Sequence, residues 1–505
     1  MPAILDFIGV SAPGTSTLVG TVLGMVLAWQ VYTVIYNLFF HPLRDFPGPL
    51  LQRASSLPWA LQNVRGVQAF HTQQLHDKYG PVVRITPQHL SFTEASAWRD
   101  IYGHLIGHKS GAQEMSKLKA LVKAIDSVPA SILNSDREEH GRFRRALSHG
   151  FSDSSMREQE RTLIRFIDLL VRRIHEEADN GRKALNAEAW YNWTTFDITG
   201  ELIFGEAFGC LQSSKYHAWI EFVFGTVKWG MGISTMSYIG LHWLVQVLYQ
   251  YAGSGKALAR VREYTRAMLE KRMEMPEGRE DLFEGLVRRR DEWGISFEKL
   301  SANAFILILA GSETTATTLS GATYFLLTNP DALSRLQHEV WSTFKSADEI
   351  NIASVGKLSY MLAVLNEALR MYPPVTSNLV RVVPSGGAQI AGHFVPGGTY
   401  VEVQHWSINH SSDNFKDPWE FNPDRFINPA EGEVLEALQA FSVGPRNCIG
   451  RNLAYAEMRI ILARLVYDFD MKLAPDSKNW VERQKTYTLW DRMPLNVYFT
   501  PVQRG

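Results

Sequence analysis

The hydrophobic pattern of the chain begins with a long apolar segment near its amino terminus. No residue from Leu18 to Phe40 carries a formal charge. A helix over this segment would be about 35 Å long, enough to cross a hydrocarbon core of about 30 Å. Because Gln30 and Asn37 interrupt the apolar run, a buried core helix is the alternative. The pattern predicts one transmembrane helix over about residues 18–40.

The residues around this helix indicate its orientation and its end. Residues 1–43 contain neither Lys nor Arg, which disfavours both a signal peptide with a basic amino-terminal region and an Arg-rich transit peptide. Asp6 precedes the helix, and the first basic residues, Arg44 and Arg53, follow it. This charge bias predicts that the bulk of the chain lies on the cytosolic side. The tract FPGP at residues 46–49 predicts a stiff, non-helical hinge.

Most of the chain after the hinge has the periodicity of helices. Alternating apolar and polar residues from Pro81 to Thr93 predict a two-stranded hairpin. Further patterns predict long helices over Met156–Glu177, Phe297–Leu327, Ser359–Tyr372 and Asn452–Phe469, and short strands within Gln389–Val403 and Pro494–Thr500. We find no internal linker. The sequence therefore predicts a mainly α chain with small β-sheets (α+β), with a membrane anchor over residues 1–45 and a single domain over residues 46–505.

The segment from Trp219 to Tyr251 is apolar and aromatic but contains several glycines. Glu221 and Lys228 are its only formal charges, and its four glycines make a continuous helix costly. We expect a helix–loop–helix whose apolar surface either packs on the core or contacts the membrane. A second membrane span is the alternative.

Composition excludes several classes of function. The chain has 51 Lys+Arg against 52 Asp+Glu and a net charge of -1, which argues against nucleic acid as a partner. It has two cysteines, Cys210 and Cys448, and no CxxC pair. This count excludes a disulfide framework, a Cys-rich zinc module and a four-cysteine iron–sulfur cluster. Any cysteine chemistry therefore depends on a single thiolate.

Cys448 lies in the most informative segment of the chain, Phe441–Ala454 (FSVGPRNCIGRNLA). Gly444, Pro445 and Gly450 predict a tight loop, and an apolar helix follows it. A cysteine just ahead of a helix lies near free N–H groups and the positive end of the helix dipole, which both favour the thiolate. A lone cysteine is more often an inert core residue. The whole string F-x-x-G-x-R-x-C-x-G, however, resembles the haem-ligand loop of the cytochrome P450 family.

The resemblance covers essentially the whole chain, because three further segments match the family in the right order. It implies the cytochrome P450 fold and haem b with Cys448 as the axial thiolate ligand of the iron. It also implies that Phe441 belongs to the cofactor-binding loop. Electrons would pass from NADPH through a flavoprotein reductase to activate dioxygen. With the anchor, the resemblance implies a single-pass protein of the endoplasmic reticulum membrane with its catalytic domain facing the cytosol.

Glu367 and Arg370 in LNEALRMYPP form the E-x-x-R pair of the family. Their i, i+3 spacing places them on one helix face. An exposed pair would contribute only about 0.3–0.5 kcal/mol, but the apolar neighbours indicate burial. A buried pair needs further hydrogen-bond partners, and Arg425 in FNPDRF resembles the third member of the family's group. The resemblance implies an architectural role, in which these residues fix the loop that carries Cys448.

The helix predicted over Phe297–Leu327 carries AGSETT at residues 310–315. Glycine and consecutive threonines weaken the hydrogen-bond ladder of a helix, so we expect a local widening or kink. The string resembles the A-G-x-E/D-T-T signature of the family. By that resemblance, Thr314 is the alcohol that steadies bound dioxygen and Glu313 is the acid of the proton relay. A Thr-rich helix packed by chance is the alternative.

These two residues also bear on alternative activities. Their retention favours monooxygenation over isomerase-type and dehydratase-type chemistry but says little about desaturation. A haem-binding sensor or carrier would need no oxygen-handling acid and alcohol, so Glu313 and Thr314 disfavour that function.

Two groups of basic residues are candidates for charge recognition. His140 and Arg144 share one face of the helix predicted in EEHGRFRRALSHGFS. The resemblance implies Arg144, Arg446 and Arg381 as haem-propionate ligands, with His140 where the family usually has Trp. The candidates for an outward basic patch that docks an acidic reductase are Arg142, Arg145, Arg451 and Arg459. A solvated charged face is the alternative for this second group.

The resemblance also indicates the class of substrate. The segments expected to line the pocket are mostly apolar: Gly103–Val128, Trp219–Tyr251, Phe305 and Leu309, Val375–Leu379, and Thr488–Trp490. We expect a small lipophilic substrate that is hydroxylated or epoxidised. The hinge and the carboxy-terminal segment look like fungal microsomal members, many of which act on terpenoids, polyketides or other secondary metabolites. That last step is analogy.

Overall fold

Helices form most of the protein. The computed structural model describes residues 15–251, 254–276, 279, 281–377 and 379–502. Its α-helices are α1 Thr15–Ile35, α2 Leu50–Ala54, α3 Leu57–Arg65, α4 Gln68–Tyr79, α5 Ser96–Tyr102, α6 Lys119–Val122, α7 Arg137–Leu147, α8 Asp153–Glu177, α9 Ala187–Phe204, α10 Cys210–Ser213, α11 Ala218–Met236, α12 His242–Tyr251, α13 Ser254–Met273, α14 Glu284–Arg288, α15 Phe297–Thr328, α16 Pro330–Thr343, α17 Ile352–Val355, α18 Ser359–Met371, α19 His405–Asn409 and α20 Arg451–Asp468. The four long helices predicted from the sequence correspond to α8, α15, α18 and α20 and are confirmed within a few residues.

The strands are short and form four small sheets in the described part of the chain. They are β1 Val82–Thr86, β2 His89–Phe92, β3 Ser116–Lys117, β4 Ala184–Asn186, β5 Arg381–Val382, β6 Ala388–Ile390, β7 His393–Val395, β8 Tyr400–Val403, β9 Phe469–Leu473, β10 Lys485–Tyr487, β11 Leu489–Asp491 and β12 Asn496–Pro501. The largest sheet has the order β1-β2-β8-β5-β3, and the others are β4-β12-β9, β10-β11 and β6-β7. The predicted hairpin is confirmed, because β1 and β2 pair antiparallel with Val82 opposite Phe92.

Helix α1 is the candidate membrane anchor. A π-helical segment, Tyr36–Phe40, extends it. The stretch Ser16–Phe40 is apolar and long enough to cross a membrane, and its most apolar part is not buried inside the protein. It therefore does not pack as a core helix, and its length and composition fit a membrane span. Asp6, on which the predicted orientation partly depends, lies outside the described residues.

Helix α15 passes through the core and packs against α9 and α18. The expected widening of the helix within its AGSETT segment is absent, because α-helical structure continues without interruption from Phe297 to Thr328; a bend at this place stays a prediction. The Ser312 hydroxyl donates to the Ile308 carbonyl at 2.5 Å, and the Thr314 hydroxyl donates to the Ala310 carbonyl at 2.6 Å. Because a carbonyl oxygen has two lone pairs, these bonds are compatible with the N–H ladder.

The segment from Trp219 to Tyr251 contains α11 and α12, joined by a π-helical segment, Ser237–Leu241, instead of the expected loop. Gly240 has a φ of 91°, a conformation that glycine adopts without strain. One left-handed residue is enough to change the helix direction, so no longer loop is needed. Among the described helices, only the Ser16–Phe40 stretch has the length and hydropathy of a membrane span.

Candidate active site

Cys448 opens onto a mainly apolar cavity between α15 and the loop that precedes α20. Thr314 lines the same cavity. The lining also includes Phe151, Thr199, Leu307, Ala310, Gly311, Leu369, Val375, Leu379, His405, Phe441, Ile449 and Leu453. The structure thus brings together the predicted metal ligand, the predicted alcohol and Phe441 of the predicted cofactor loop.

The conformation of the cysteine loop depends on glycine. Gly444 has a φ of 74°, and a Cβ built there would lie 2.0 Å from the Tyr102 carbonyl oxygen. A larger residue would therefore both strain the backbone and collide with α5. The Cys448 N–H donates to the Phe441 carbonyl at 2.9 Å and closes the loop. This turn directs the thiol toward the cavity.

Burial raises the pKa of the Cys448 thiol. The hydrogen bond from the Gly450 N–H lowers this pKa, as do the charges of Arg144 and Arg451. The expected stabilisation of the thiolate ahead of α20 is present, but burial outweighs it, so the net direction is opposite to our prediction. A coordinated metal cation deprotonates a thiol outright. The site therefore fits a metal-bound thiolate better than a free one.

Glu313 and Thr314 face different cavities. Glu313 is buried and lines a second cavity with Glu188, Tyr216 and Arg492. Arg492 donates hydrogen bonds to the carboxylates of both Glu313 and Glu188. Burial raises the pKa of Glu313 to about 7, although Arg492 opposes the shift. The predicted acid is therefore adjacent to the predicted alcohol in the chain but not in the same cavity.

A further acid, Glu457 of α20, lines the Cys448 cavity and was not predicted. Its carboxyl group is buried and hydrogen-bonded to the Thr315 hydroxyl, and burial raises its pKa to about 8. The signal in the sequence is an acid in the interior of α20, whose other formally charged residues are three arginines and Asp468 at its end. That pattern alone does not say which face of α20 is buried.

Arg144 binds the cysteine loop. Its guanidinium donates to the Asn447 carbonyl at 2.7 Å and to the Asn447 side-chain oxygen at 2.5 Å. It thereby connects α7 to the residue before Cys448. These bonds occupy donors that we expected to bind a propionate, so Arg144 as a propionate ligand stays a prediction.

Basic side chains nevertheless converge beside this loop. Burial lowers the pKa of His140 to about 3, and the charges of Arg446, Lys117, Arg144 and Arg381 act in the same direction. Burial and the charges of Arg381 and Arg446 lower the pKa of Lys117 to about 7. Arg446 is paired with Glu114 at 2.7 Å. An anionic group at this place would relieve the mutual repulsion, which fits the carboxylates of a haem. Lys117 was not predicted.

The three residues of the predicted architectural group lie together in the core. The Arg370 Nε and Nη2 atoms each donate to the Glu367 carboxylate at 2.8 Å, and the Arg425 Nε donates to it at 3.1 Å. All three side chains are buried. Glu433, which was not predicted, forms a further ion pair with Arg425. Arg370 also donates to three backbone carbonyls, those of Asn409, Pro418 and Glu420.

The four arginines of the predicted outward basic patch differ in exposure and in their contacts. Arg145 and Arg451 are exposed. Arg142 is exposed but paired with Glu138 at 2.8 Å, and Arg459 is half-buried with its guanidinium 5.5 Å from the centre of a tyrosine ring. A docking function of this patch stays a prediction.

The segments predicted to line the substrate pocket are divided among different places. Val375 and Leu379 line the Cys448 cavity. Phe305 lies with Val128 in a separate groove, and Trp490 lies in the second cavity with Glu313. The side chains of several residues between 221 and 227, and that of residue 251, lie outside the described part of the structure.

Comparison with known proteins gives one consistent result. The sequence model of the family described as Cytochrome P450 matches residues 49–497. Cytochrome P450 monooxygenase tpeC of Talaromyces stipitatus is 44% identical, over 95% of this chain and 94% of the relative. Trichothecene C-15 hydroxylase of Fusarium sporotrichioides is 42% identical (95% and 97%), and averantin hydroxylase of Dothistroma septosporum is 41% identical (95% and 90%).

Proposed function

Because the chain belongs to the cytochrome P450 family, whose members use haem b with a cysteine thiolate ligand, dioxygen and NADPH-derived electrons, we propose that Cys448 is the iron ligand of a monooxygenase that hydroxylates a small lipophilic secondary metabolite. The observation that carries the proposal is the Cys448 thiol, which opens onto an apolar cavity lined by Thr314. The relatives named as trichothecene C-15 hydroxylase and averantin hydroxylase support the reaction class.

The residues present fit haem b. When bound, haem b supplies the activation of dioxygen and the insertion of one oxygen atom into the substrate. Cys448 would bind the iron, and Arg446, Arg381 and Lys117 would bind the propionates, with His140 beside them. Apolar lining keeps bulk water away from the reacting atoms, and the Thr314 hydroxyl holds a proton at the cavity wall.

The visible spectrum of the dithionite-reduced protein, with and without carbon monoxide, tests the proposed function. We expect the Soret band typical of thiolate-ligated haem. A band typical of haem without a thiolate ligand, in protein shown to be folded, would contradict the assignment of Cys448. With the thiolate spectrum established, lipophilic secondary metabolites can be screened for binding and turnover.

Thr314→Ala is expected to leave haem binding intact while lowering product formation by about 100-fold, because the hydroxyl takes part in proton transfer. NADPH consumption should continue, with peroxide as the product. The measurement is the ratio of product to NADPH consumed. Thr314→Ser, which keeps a hydroxyl at this position, is the matched control and should retain most of the coupling. Unchanged coupling in Thr314→Ala would contradict the proposed role.

Residues 1–45 anchor the protein in the endoplasmic reticulum membrane in our proposal, and residues 46–505 form a single catalytic domain in the cytosol. The exposed apolar side chains of α1 support the anchor.

A second apolar surface lies on α3, which packs against α11: Leu57, Leu61 and Val64 are exposed at i, i+4 and i+7 of this helix. Trp229 and Trp243 are 77% and 64% exposed in the same region. This surface would lie in the interface of the membrane.

Deleting residues 1–43 is expected to weaken membrane attachment without abolishing it, because the second apolar surface remains. Adding Trp229→Ser and Trp243→Ser should then release the protein. Flotation with vesicles measures the bound fraction. Trp419→Ser is the matched control, since Trp419 is 54% exposed but lies outside these helices. Full retention of the variant that lacks both features would contradict the membrane proposal.

The redox partner, an NADPH-dependent flavoprotein reductase, docks on the basic patch in our proposal. Arg145 and Arg451 support this position, because both are exposed and Arg451 lies three residues after Cys448 in the chain. Complementary charge speeds association of such partners.

A further inference from the structure

A buried arginine of β1 binds the end of the membrane helix. Arg84 is fully buried, and its Nη1 atom donates to the Asn37 carbonyl at 3.0 Å. Asn37 lies in the π-helical segment that extends α1. The residue five positions later, Pro42, has no N–H with which to continue the π-helical bonding. A cation is also favoured at the carboxyl end of a helix dipole. Arg84 therefore caps α1 from inside the catalytic domain.

The other donors of Arg84 bind the turn of the β1–β2 hairpin. Its Nε and Nη2 atoms donate to the Pro87 carbonyl at 3.0 and 2.7 Å. Burial and the charge of Arg53 lower the pKa of Arg84 to about 10, so the guanidinium is still a cation at neutral pH. A buried cation is costly unless its donors are hydrogen-bonded. The bond from Arg84 to the end of α1 is therefore costly to break.

The chain that follows α1 is also packed tightly onto this hairpin. The Arg84 N–H donates to the Pro47 carbonyl at 2.7 Å. A Cβ built at Gly48 would lie 2.3 Å from the Arg84 carbonyl oxygen, so only glycine allows this close approach. The Asn37 amide donates to the Ala54 carbonyl at 2.9 Å, and Asn37 is 8% exposed. The hinge predicted from the FPGP tract is therefore fixed to the sheet.

The same hairpin binds the helix pair α11–α12. Tyr238 lies in the π-helical segment between these helices. Its hydroxyl is 2.9 Å from Thr86 Oγ1 of β1 and 3.2 Å from His89 Nδ1 of β2. Its ring centre lies 4.1 Å from that of Trp59, which is on the buried side of α3. The exposed side of α3 belongs to the second apolar surface. Tyr238 therefore holds α11 and α12 against the sheet and α3.

We propose that the β1–β2 hairpin is a rigid joint that holds α1 and the second apolar surface at one fixed angle for contact with a phospholipid bilayer, with Arg84 and Tyr238 as its positioning residues. This inference rests on the proposed function, because both surfaces must contact the membrane. The two attachments share strand β1, through Arg84 and Thr86. The anchor is thus a rigid extension of the catalytic domain instead of a flexible tether. Packing of this kind sets the tilt of a membrane helix.

Distances between spin labels test this joint in the haem-loaded full chain, reconstituted in phospholipid nanodiscs. One pair of labels, introduced by Val26→Cys and Gln74→Cys, connects α1 to α4. The other pair, introduced by Gln74→Cys and Gln250→Cys, connects α4 to α12. All three positions are exposed. Cys210→Ala removes the other free cysteine, and haem binding protects Cys448. We expect a narrow distance distribution for both pairs.

Arg84→Gln should loosen α1 without loosening α12. Val26 lies about 16 Å from Asn37 along the helix, so a swing of about 20° would widen the α1 distance distribution by about 5 Å. Arg44→Gln is the matched control. Arg44 also follows α1, but its side chain is 55% exposed and pairs with Asp45. Neither distribution should widen in the control.

Tyr238→Ala should widen only the α12 distance distribution. Tyr238→Phe keeps the ring on Trp59 and should widen it less. Such selective widening supports the proposal, since a general loss of structure would widen both distributions in each variant. Broad α1 distances in the unsubstituted protein, unchanged α1 distances in Arg84→Gln, or widening of both distributions together would overturn it.

A second variant and a second measurement keep the outcomes distinct. If Arg84→Gln does not fold, Asn37→Ala decides by the same distances, because it removes the side-chain bond to Ala54 and leaves Arg84 in place. Flotation of the labelled protein with phospholipid vesicles separates the two failures. Protein that does not float contradicts the membrane attachment in the proposed function. Protein that floats but has broad α1 distances contradicts the rigid joint alone.

Discussion

Cys448→Ala is expected to eliminate the thiolate-ligated haem spectrum and to reduce product formation to background. Enzymes typically accelerate their reactions by about 10⁶-fold or more, and removal of the ligand that positions and tunes the iron should remove essentially all of that acceleration. No other cysteine lines the Cys448 cavity in the described part of the chain. The measurement combines the carbon monoxide difference spectrum, the haem content and the rate of product formation.

Two further variants make this result specific. Cys448→Ser keeps the size of the side chain but replaces sulfur with oxygen, so the thiolate spectrum should also be lost. Cys210→Ala is the matched control: Cys210 is the buried first residue of α10 and does not line this cavity, and its Sγ accepts a hydrogen bond from the His217 N–H at 3.3 Å. The Cys210 variant should keep the spectrum. A thiolate spectrum in Cys448→Ala would refute the ligand assignment.

Glu367→Gln is expected to lower the free energy of unfolding by about 3–5 kcal/mol, the usual cost of breaking a buried ion pair. Glu367 is fully buried and accepts hydrogen bonds from both Arg370 and Arg425. The substitution preserves volume but leaves two buried guanidinium groups with less than their balancing charge. Chemical denaturation followed by circular dichroism measures the loss, and haem content reports whether the loop that carries Cys448 is still formed.

A neighbouring surface pair provides the control. Asp424 lies next to Arg425 and accepts from Arg335 at 2.5 and 2.7 Å, but both partners are about half exposed. Asp424→Asn should therefore cost no more than about 1 kcal/mol. If Glu367→Gln costs as little as Asp424→Asn, the architectural role proposed for the buried group is wrong.

Local patterns predicted the long helices well. Helix α18 was expected over Ser359–Tyr372 and runs over Ser359–Met371, because apolar periodicity and the following prolines act within a few residues. The predictions that failed concerned the local conformation of the backbone within helical segments. Gly240 alone turns the chain between α11 and α12, and the hydroxyls of the AGSETT segment bond back onto their own helix instead of breaking it.

The sequence by itself determined the family, the cysteine that can bind haem iron and the candidate anchor, because each of these is encoded by residue types at short, regular spacing. Only the tertiary structure decided which groups surround them. Arg492 is 179 residues away from Glu313, and Glu457 reaches Thr315 from a different helix. The pKa of a buried acid depends on the charges that folding brings near it. No spacing along the chain specifies those neighbours, so the second cavity and the raised pKa of Glu313 could be found only from the fold.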